Sequence, residues 1–236
     1  MRALISVLMA TFDGEVFVEE AIESVLQQSG VELELVVIDD GSTDATPAVV
    51  RDLARRDPRI HFAVAPHAGM AAARNACLAE ARGSHIALLD QDDRCPEGKL
   101  ARQLALLQAS PDVAAVFGLT RMFGTGEHGE PGYTMLLAAA LLRRDVVDAV
   151  GTFDPSCASA DDLDFLLRMI ESGHRIELET GLGTYHRRHP GQASGDLAAT
   201  RRDCVRALAR SLERRRRHGL HGPLHHPLVT GAGRGL

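Results

Sequence analysis

The sequence has 236 residues, 45% of them hydrophobic and 25% charged, and a formal net charge of -6. These values predict a globular protein with one full-sized core and exclude a disordered or fibrous chain. The four cysteines are widely spaced and no apolar run approaches the roughly 18 residues of a membrane span, which argues against a disulfide scaffold and an integral membrane protein. Because no signal-peptide pattern follows Met1, we expect a cytoplasmic protein.

Short apolar runs alternate with segments of helical periodicity through the first half of the chain. The predicted strands are Leu4–Ala10, Leu33–Ile38, Ile60–Ala65, His85–Leu89 and Val113–Leu119. The predicted helices are Val16–Gln28, Ala45–Arg56, Met70–Ala81 and Lys99–Ala109. This alternation predicts an α/β fold, with a mainly parallel sheet covered by helices on both faces.

The pattern is weaker after Leu119. Residues 121–132 are polar and glycine-rich and are predicted to form a mobile loop, and residues 136–150 mix strand and helix character. A helix is predicted for Asp161–Ser172, followed by two short strands, Arg175–Glu179 and Gly183–His186. A last helix is predicted for Thr200–Arg217, and little order is expected after His218.

Acidic and turn-forming residues follow three of the predicted strands. They lie at Thr11–Asp13, at Asp39–Asp40 and at Asp90–Asp93. Ligands of open α/β sheets bind beyond the carboxyl ends of the strands, so these segments are expected to converge on one binding edge. The run Asp90–Asp93 has the oxygen ligands that Mg²⁺ or Mn²⁺ prefers, although a solvated acidic turn would have the same composition.

Other polar groups each have a functional and a structural interpretation. Asp39 and Asp40 could accept hydrogen bonds from a ribose or base, whereas Ser42 and Asp44 could simply cap the next helix. Arg74, near a helix N-terminus, could attract phosphate or be a surface arginine. Acids such as Asp161 and Asp162 are favourable in any first helical turn, and His186 and His189 are metal ligands or solvated side chains.

Five segments, in order and spacing, resemble the family 2 nucleotide-sugar glycosyltransferases. They are SVLMATFDGEVFVEEAIESVLQQS, ELVVIDDGSTDAT, AGMAAARNACLAEARGSHIALLDQDD, VGTFDPSCASADDLDFLLRM and YHRRHPGQAS, within residues 4–195. The resemblance implies a single GT-A domain over residues 1–200, with a nucleotide-binding half at 1–119 and an acceptor-side half at 120–200. Residues 201–236, an arginine-rich helix and flexible tail, lie outside it.

The resemblance also implies roles for individual residues. The general base would be Asp162, and the donor-sugar side would be Asp90 and Asp161. A Mn²⁺ or Mg²⁺ ion would be held by Asp93, Asp92 and His189. The nucleotide would contact Thr11, Asp13, Asp39, Asp40, Arg74, Asn75 and Asp92.

The implied function is inverting transfer of one sugar from a nucleotide-sugar, a UDP-sugar, to an acceptor hydroxyl on a glycan, a lipid-linked glycan or a small molecule. Inversion needs one base and one leaving-group stabiliser, not the carboxylate pair of glycosidases. The sequence has no Trp, so the Gln-x-x-Arg-Trp pattern of processive polymerases is absent. One alternative is a non-catalytic nucleotide-sugar-binding domain, because the segment TMLLAAALLRR lacks the glycine that is common in the family before the acceptor region. The other alternative is a nucleotidyltransferase-like enzyme.

The arginine-rich helix 201–217 has an apolar stripe of Val205, Leu208 and Leu212. We expect this stripe to pack on the acidic body of the protein. Peripheral contact with an anionic membrane is the alternative. No nucleic-acid partner is expected, because no aromatic residues interleave with the arginines.

Overall fold

The computed structural model describes residues 3–157, 159–192, 197–220 and 228. The strands are β1 Leu4–Thr11, β2 Glu32–Asp39, β3 Ile60–Val64, β4 His85–Leu88, β5 Val113–Gly124, β6 Ala140–Arg143 and β7 Arg175–Arg188. The helices are α1 Val18–Leu26, α2 Thr46–Arg56, α3 Met70–Glu80, α4 Lys99–Ala109, α5 Arg144–Val150, α6 Asp161–Glu171 and α7 Leu197–Arg217, with a 3₁₀ turn at Leu137–Ala139.

The strands form one seven-stranded sheet in the order β3-β2-β1-β4-β6-β5-β7. β1 pairs in parallel with β2 and β4, β2 with β3, and β5 with β7. β6 is antiparallel to both of its neighbours, β4 and β5. The predicted mainly parallel α/β sheet is therefore confirmed.

Side chains of each central strand alternate between two hydrophobic layers, because successive residues of a strand point to opposite faces. Ile5 and Val7 of β1 pack in the layer that contains α1, α2 and α4. Leu8 and Ala10 pack in the layer that contains α3, α5 and α6. Helices thus cover both faces, and the loops at the strand ends are left to form the site.

The edge formed by β5 and β7 differs from the sequence prediction. β5 continues to Gly124, so the predicted loop at 121–132 is wrong for its first four residues, and the two predicted short strands form one strand, β7. The glycines at 181 and 183 do not break the strand. A Cβ at Gly183 would lie 2.3 Å from the Ala139 carbonyl oxygen, and a Cβ at Gly118 would lie 2.6 Å from the Gly183 backbone nitrogen. These glycines permit close packing that periodicity alone does not reveal.

The orientation of α7 also contradicts the prediction. Val205, Leu208 and Leu212, which were expected to pack on the body, are exposed. The buried contacts come from Ala207 and Ser211, and Ala207 packs in a small cluster with α6 residues. Arginines on this inner side pair with acids of the body, so ion pairs and small residues hold α7 in place. Such pairs depend on the tertiary neighbours and cannot be read from helical spacing.

Among the residues that the structure describes, no helix is long and apolar enough to cross a bilayer. The predicted flexible tail lies largely outside the described residues, at 221–227 and 229–236.

Candidate functional site

The loops that follow β1 and β2 are joined by side-chain hydrogen bonds. Asp13, whose φ is +45°, accepts the Thr43 amide at 2.7 Å and donates its own amide to the Ser42 hydroxyl at 2.9 Å. The Gly14 amide donates to the Thr46 hydroxyl at 2.8 Å. A strained backbone conformation held by several partners is typical of a ligand-binding loop.

Gln91 ties the loop after β4 to the loop after β1. Its Oε1 accepts the Phe12 amide at 2.9 Å, and its Nε2 donates to the Phe12 carbonyl at 2.8 Å. A Cβ at Gly14 would lie 2.2 Å from Oε1 of Gln91, so any larger residue here would have to displace this amide from the Phe12 backbone. The three strand ends therefore form one connected surface, as the sequence predicts.

Asp39 and Asp40 are buried beneath this surface. Asp39 accepts hydrogen bonds from the Thr11 hydroxyl at 3.1 Å and the Ser42 amide at 2.9 Å. Asp40 accepts the amides of residues 68 and 69 at 2.7 and 2.8 Å and contacts His67 at 2.8 Å. In the described contacts these carboxylates order the loops, while the ring of Phe12 stacks on His67 at 4.4 Å.

Arg74 of α3 brings together three carboxylates from different parts of the chain. Its Nη1 lies 2.6 Å from Asp161 Oδ2 and 2.7 Å from Asp162 Oδ1, and its Nη2 lies 2.7 Å from Asp90 Oδ1. The Arg74 side chain is only 8% exposed. One cation for three neighbouring carboxylates leaves an excess of negative charge, which suits a cation or a proton at this position.

Asp162 is held on both of its oxygens. Oδ1 accepts Arg74, and Oδ2 accepts the Leu137 amide at 2.9 Å. Burial raises the pKa of Asp162 to about 7, against the lowering effect of Arg74, and the negative charge of Asp161 and Asp90 adds to the rise. A carboxylate of this kind is half protonated near neutrality and is a much stronger base than an exposed aspartate.

The 3₁₀ turn that presents the Leu137 amide is fixed from behind by α4. Lys99 is buried and donates from Nζ to the Ala138 carbonyl at 2.5 Å, while Gln103 donates to the Ala139 carbonyl at 3.0 Å. Burial lowers the pKa of Lys99. The turn that contacts Asp162 is therefore anchored by two polar side chains of the core.

Two histidines near the end of β7 pair with two adjacent acids. His189 Nε2 lies 2.9 Å from Asp92 Oδ2, and His186 Nδ1 lies 3.0 Å from Asp93 Oδ2. Asp93 also accepts the Arg187 amide at 2.8 Å and has no exposed surface. The sequence left His186 as either a metal ligand or a solvated side chain, and the family resemblance implied no role for it; the structure places it in β7, three residues before His189.

Burial raises the pKa of Asp93 to about 6, despite the hydrogen bond and the positive charge that His186 offers. Burial alone would lower the pKa of His186, but the hydrogen bond and charge of Asp93 outweigh it and the pKa is raised. Each of the two groups thus stabilises the charged form of the other.

The residues predicted to hold a metal differ in their access to the cleft. No group of three or more His, Cys, Asp or Glu side chains within the described ranges is arranged as a metal site. Asp92 and His189 lie together on the cleft wall and supply an oxygen and a nitrogen donor, which suits Mn²⁺ or Mg²⁺ with further ligands from phosphate and water. Asp93 lies behind them, with both oxygens already engaged.

These elements enclose an open cleft of about 630 Å³. Of the sequence-predicted residues, its lining includes Asp13, Arg74, Asp90, Asp92, Asp161, Asp162 and His189. Thr11, Asp39, Asp40, Asn75 and Asp93 lie outside the lining. Asn75 instead holds the segment before α6, because its amide group exchanges hydrogen bonds with the Phe153 backbone at 2.8 and 2.9 Å.

A column of alternating rings and guanidinium groups supports the histidine side of the cleft. Arg187 lies 4.6 Å from the Phe17 ring centre and 4.3 Å from that of Phe123. Arg94 lies 4.4 Å from Phe123 and 5.3 Å from Tyr185. Cation–π contacts of this kind fix the end of β7, which precedes the loop of His189.

Residues 6–160 match the family described as Glycosyl transferase family 2. TuaG of Bacillus subtilis is 35% identical over 107 residues, which are 45% of this chain and 42% of that protein, so the chain spans less than half of the relative's length.

Two solved structures share the fold. S. aureus TarS 1-349 in complex with UDP-GlcNAc has a TM-score of 0.72 at 21% identity, covering 89% of this chain and 65% of that chain. The mannosyltransferase PcManGT of Pyrobaculum calidifontis, in complex with GDP-Man and Mn²⁺, has a TM-score of 0.70 at 22% identity, covering 99% of this chain and 70% of that chain.

Proposed function

Since the chain belongs to glycosyl transferase family 2, we propose that it transfers one sugar from a nucleotide-sugar to an acceptor hydroxyl with inversion at the anomeric carbon. The observation that carries this proposal is Asp162. It lines the cleft, its two oxygens are oriented by Arg74 and by the Leu137 amide, and its pKa is raised to about 7. A base poised near the working pH is what deprotonation of a hydroxyl requires.

In the proposed reaction, Asp162 accepts the proton of the acceptor hydroxyl as that oxygen attacks the anomeric carbon. The new bond forms between the acceptor oxygen and the anomeric carbon, while the bond from that carbon to the diphosphate breaks. The electron pair leaves with the nucleoside diphosphate. Attack opposite the leaving group inverts the configuration, and a single base is sufficient for one displacement.

Arg74 has two roles in this proposal. It keeps the Asp162 carboxylate oriented through a 2.7 Å hydrogen bond, and it offsets part of the charge of Asp90 and Asp161. Those two acids lie beside the base on the cleft wall and are proposed to accept hydrogen bonds from the donor sugar. Orientation of reacting groups contributes a large part of enzymatic rate enhancement.

The nucleotide is proposed to lie along the loops after β1 and β2, and we propose a UDP-sugar as the donor. Phe12 and His67 form a stacked aromatic pair beside that path, and Asp13 lies on the cleft lining. The UDP-GlcNAc complex of TarS supports a uridine donor, while the GDP-Man complex of PcManGT provides the competing base for a test.

Asp92 and His189 are proposed to hold a Mn²⁺ or Mg²⁺ ion, with Asp93 orienting the neighbouring loop through His186. When bound, such an ion would stabilise the negative charge of the diphosphate. The donor chemistry of the pair and the Mn²⁺ in the PcManGT complex support this assignment. Asp92→Asn is expected to remove the thermal stabilisation that Mn²⁺ plus UDP produces, and an unchanged shift would contradict it.

The base is tested by release of UDP from UDP-GlcNAc, with water or an added acceptor as the nucleophile. Asp162→Asn is expected to lower turnover by about 10²-fold or more while UDP still stabilises the protein. Asp148→Asn, on an exposed residue of α5, is the matched control. The rate should rise with pH and level off above about 7, because Asp162 must be deprotonated to act.

Two outcomes would reject the proposal in different ways. Full turnover in Asp162→Asn would show that Asp162 is not the base, while the proposal of glycosyl transfer would stand. Tight nucleotide binding by calorimetry, with no sugar released or transferred on any acceptor, would favour a non-catalytic nucleotide-sugar-binding domain.

A further inference from the structure

The outward face of α7 is apolar at its centre. Val205, Leu208 and Leu212 are 66%, 44% and 50% exposed, respectively. Their spacing of three and four residues aligns them in one stripe along the helix. Large exposed side chains that line up in this way mark an interaction surface more often than scattered ones do.

Arginines border this stripe. Arg201, Arg202 and Arg216 are exposed on α7. The arginines of the inner side are used differently: Arg210 pairs with Asp154, and Arg214 pairs with Asp164 and Glu171. The helix therefore divides its arginines between the body, which they anchor, and an outer surface where they flank apolar side chains.

We propose that this outer face of α7 binds the surface of an anionic lipid bilayer. Apolar side chains of an interfacial helix enter the boundary between headgroups and acyl chains, while flanking arginines pair with lipid phosphates. Val205, Leu208 and Leu212 would form the inserted side, and Arg201, Arg202 and Arg216 the phosphate-binding border.

Charge favours a lipid surface over other occupants. A second copy of the chain bound through the same face would oppose arginines with arginines, because a two-fold interface is self-complementary. A nucleic acid would engage the arginines but would gain nothing from an exposed aliphatic stripe. An anionic bilayer satisfies both the apolar and the basic parts of the face.

The position of α7 gives this surface a consequence for the cleft. The Ser159 amide donates to Asp203 of α7 at 3.1 Å, and Ala160 packs near Ala207. Ser159 and Ala160 both line the cleft. Docking through α7 would hold this wall close to the bilayer. Membrane binding by this face does not depend on the proposed transfer reaction.

Sedimentation with vesicles tests the proposal on the full chain. The wild-type protein is expected to bind phosphatidylglycerol–phosphatidylcholine vesicles and to bind phosphatidylcholine vesicles much less. Its binding to the anionic vesicles should weaken as salt is added. Val205→Asp should reduce binding at least tenfold, whereas Val64→Asp, at a residue that is 51% exposed on β3, should not change it. Arg201→Ala should reduce binding about fivefold, the effect of one arginine near an anionic surface.

Circular dichroism and melting temperature check that each variant is folded, and neither should change because the substituted side chains are exposed. Equal binding of Val205→Asp and Val64→Asp to anionic vesicles would overturn the proposal, as would no binding of the wild-type protein. A wild-type dimer that Val205→Asp converts to a monomer, without vesicle binding, would assign the face to a second copy. Binding to duplex DNA alone, weakened by Arg201→Ala but not by Val205→Asp, would assign it to nucleic acid.

Discussion

Replacement of Arg74 by methionine removes the guanidinium group that Asp90, Asp161 and Asp162 share. Methionine keeps much of the side-chain volume, so the main loss is charge and hydrogen bonding. Breaking a buried ion pair typically costs 3–5 kcal/mol. Because Asp90 and Asp162 are 24% and 15% exposed, water can partly solvate them, and we expect the lower end of that range, about 3 kcal/mol.

The cost should depend on pH through Asp162. Its pKa of about 7 is above the roughly 3.9 of an unfolded aspartate, so Asp162 contributes stability at low pH that is lost as pH rises toward 7. Arg74 lowers this pKa, so its removal raises the pKa of Asp162 further. The variant therefore continues to lose stability as the pH rises above 7, where the wild-type protein no longer does. Each added pKa unit corresponds to about 1.4 kcal/mol. The stability difference between wild type and variant should therefore be larger at pH 8.5 than at pH 6.

Urea unfolding measured by circular dichroism at the two pH values tests this expectation, since the chain has no Trp for fluorescence. The control is Arg56→Met, which removes an exposed pair with Asp52 on α2 and should cost only about 0.3–0.5 kcal/mol at both pH values. A stability difference for Arg74→Met that is equal at pH 6 and pH 8.5 would refute the coupling between Arg74 and Asp162.

Two further substitutions probe the loops. Gly14→Ala should lower the free energy of unfolding by about 1–3 kcal/mol and weaken UDP binding, since the new Cβ would lie 2.2 Å from the Gln91 amide. Adding Gln91→Ala should relieve the clash. A calorimetric titration in which the double variant binds UDP no better than Gly14→Ala would contradict this. Asn75→Ala should cost about 1–3 kcal/mol and lower turnover, because two Phe153 backbone groups lose their partner; unchanged urea unfolding would show that water replaces the amide.

Much of the fold follows from local patterns. β1, β2 and β4 are runs of apolar residues followed by acids, so both the strands and the convergence of their ends could be predicted. The extent of β7 could not, because Gly181 and Gly183 resemble strand breakers. Their role depends on backbone that arrives from elsewhere: the Ala139 carbonyl lies 2.3 Å from where a Cβ of Gly183 would be.

The residues of the site also differ in how much of their role the sequence reveals. A carboxylate at a strand end has the same sequence whether it faces a ligand or its own loop, so nothing in the sequence shows that Asp39 is committed to Thr11 and Ser42. Likewise, the pairing of His186 with Asp93 joins residues far apart in the chain. By contrast, the resemblance of the segment around Asp162 is what predicts its role as the base, and the structure adds its contacts with Arg74 and Leu137.

The reversed direction of β6 has a consequence for how such a cleft can diversify. Because β6 runs opposite to its neighbours, its beginning, not its end, lies at the edge where β1, β2 and β4 finish. The 3₁₀ turn that precedes β6 therefore reaches Asp162 of the cleft through the Leu137 amide, from a connection that is not part of β1, β2 or β4. Residues 125–131 leave the sheet and return where Gly132 bridges Thr120, so this connection could change in length without disturbing the register of the other strands. Selection could then alter this part of the cleft while the loops after β1 and β2 stay constant.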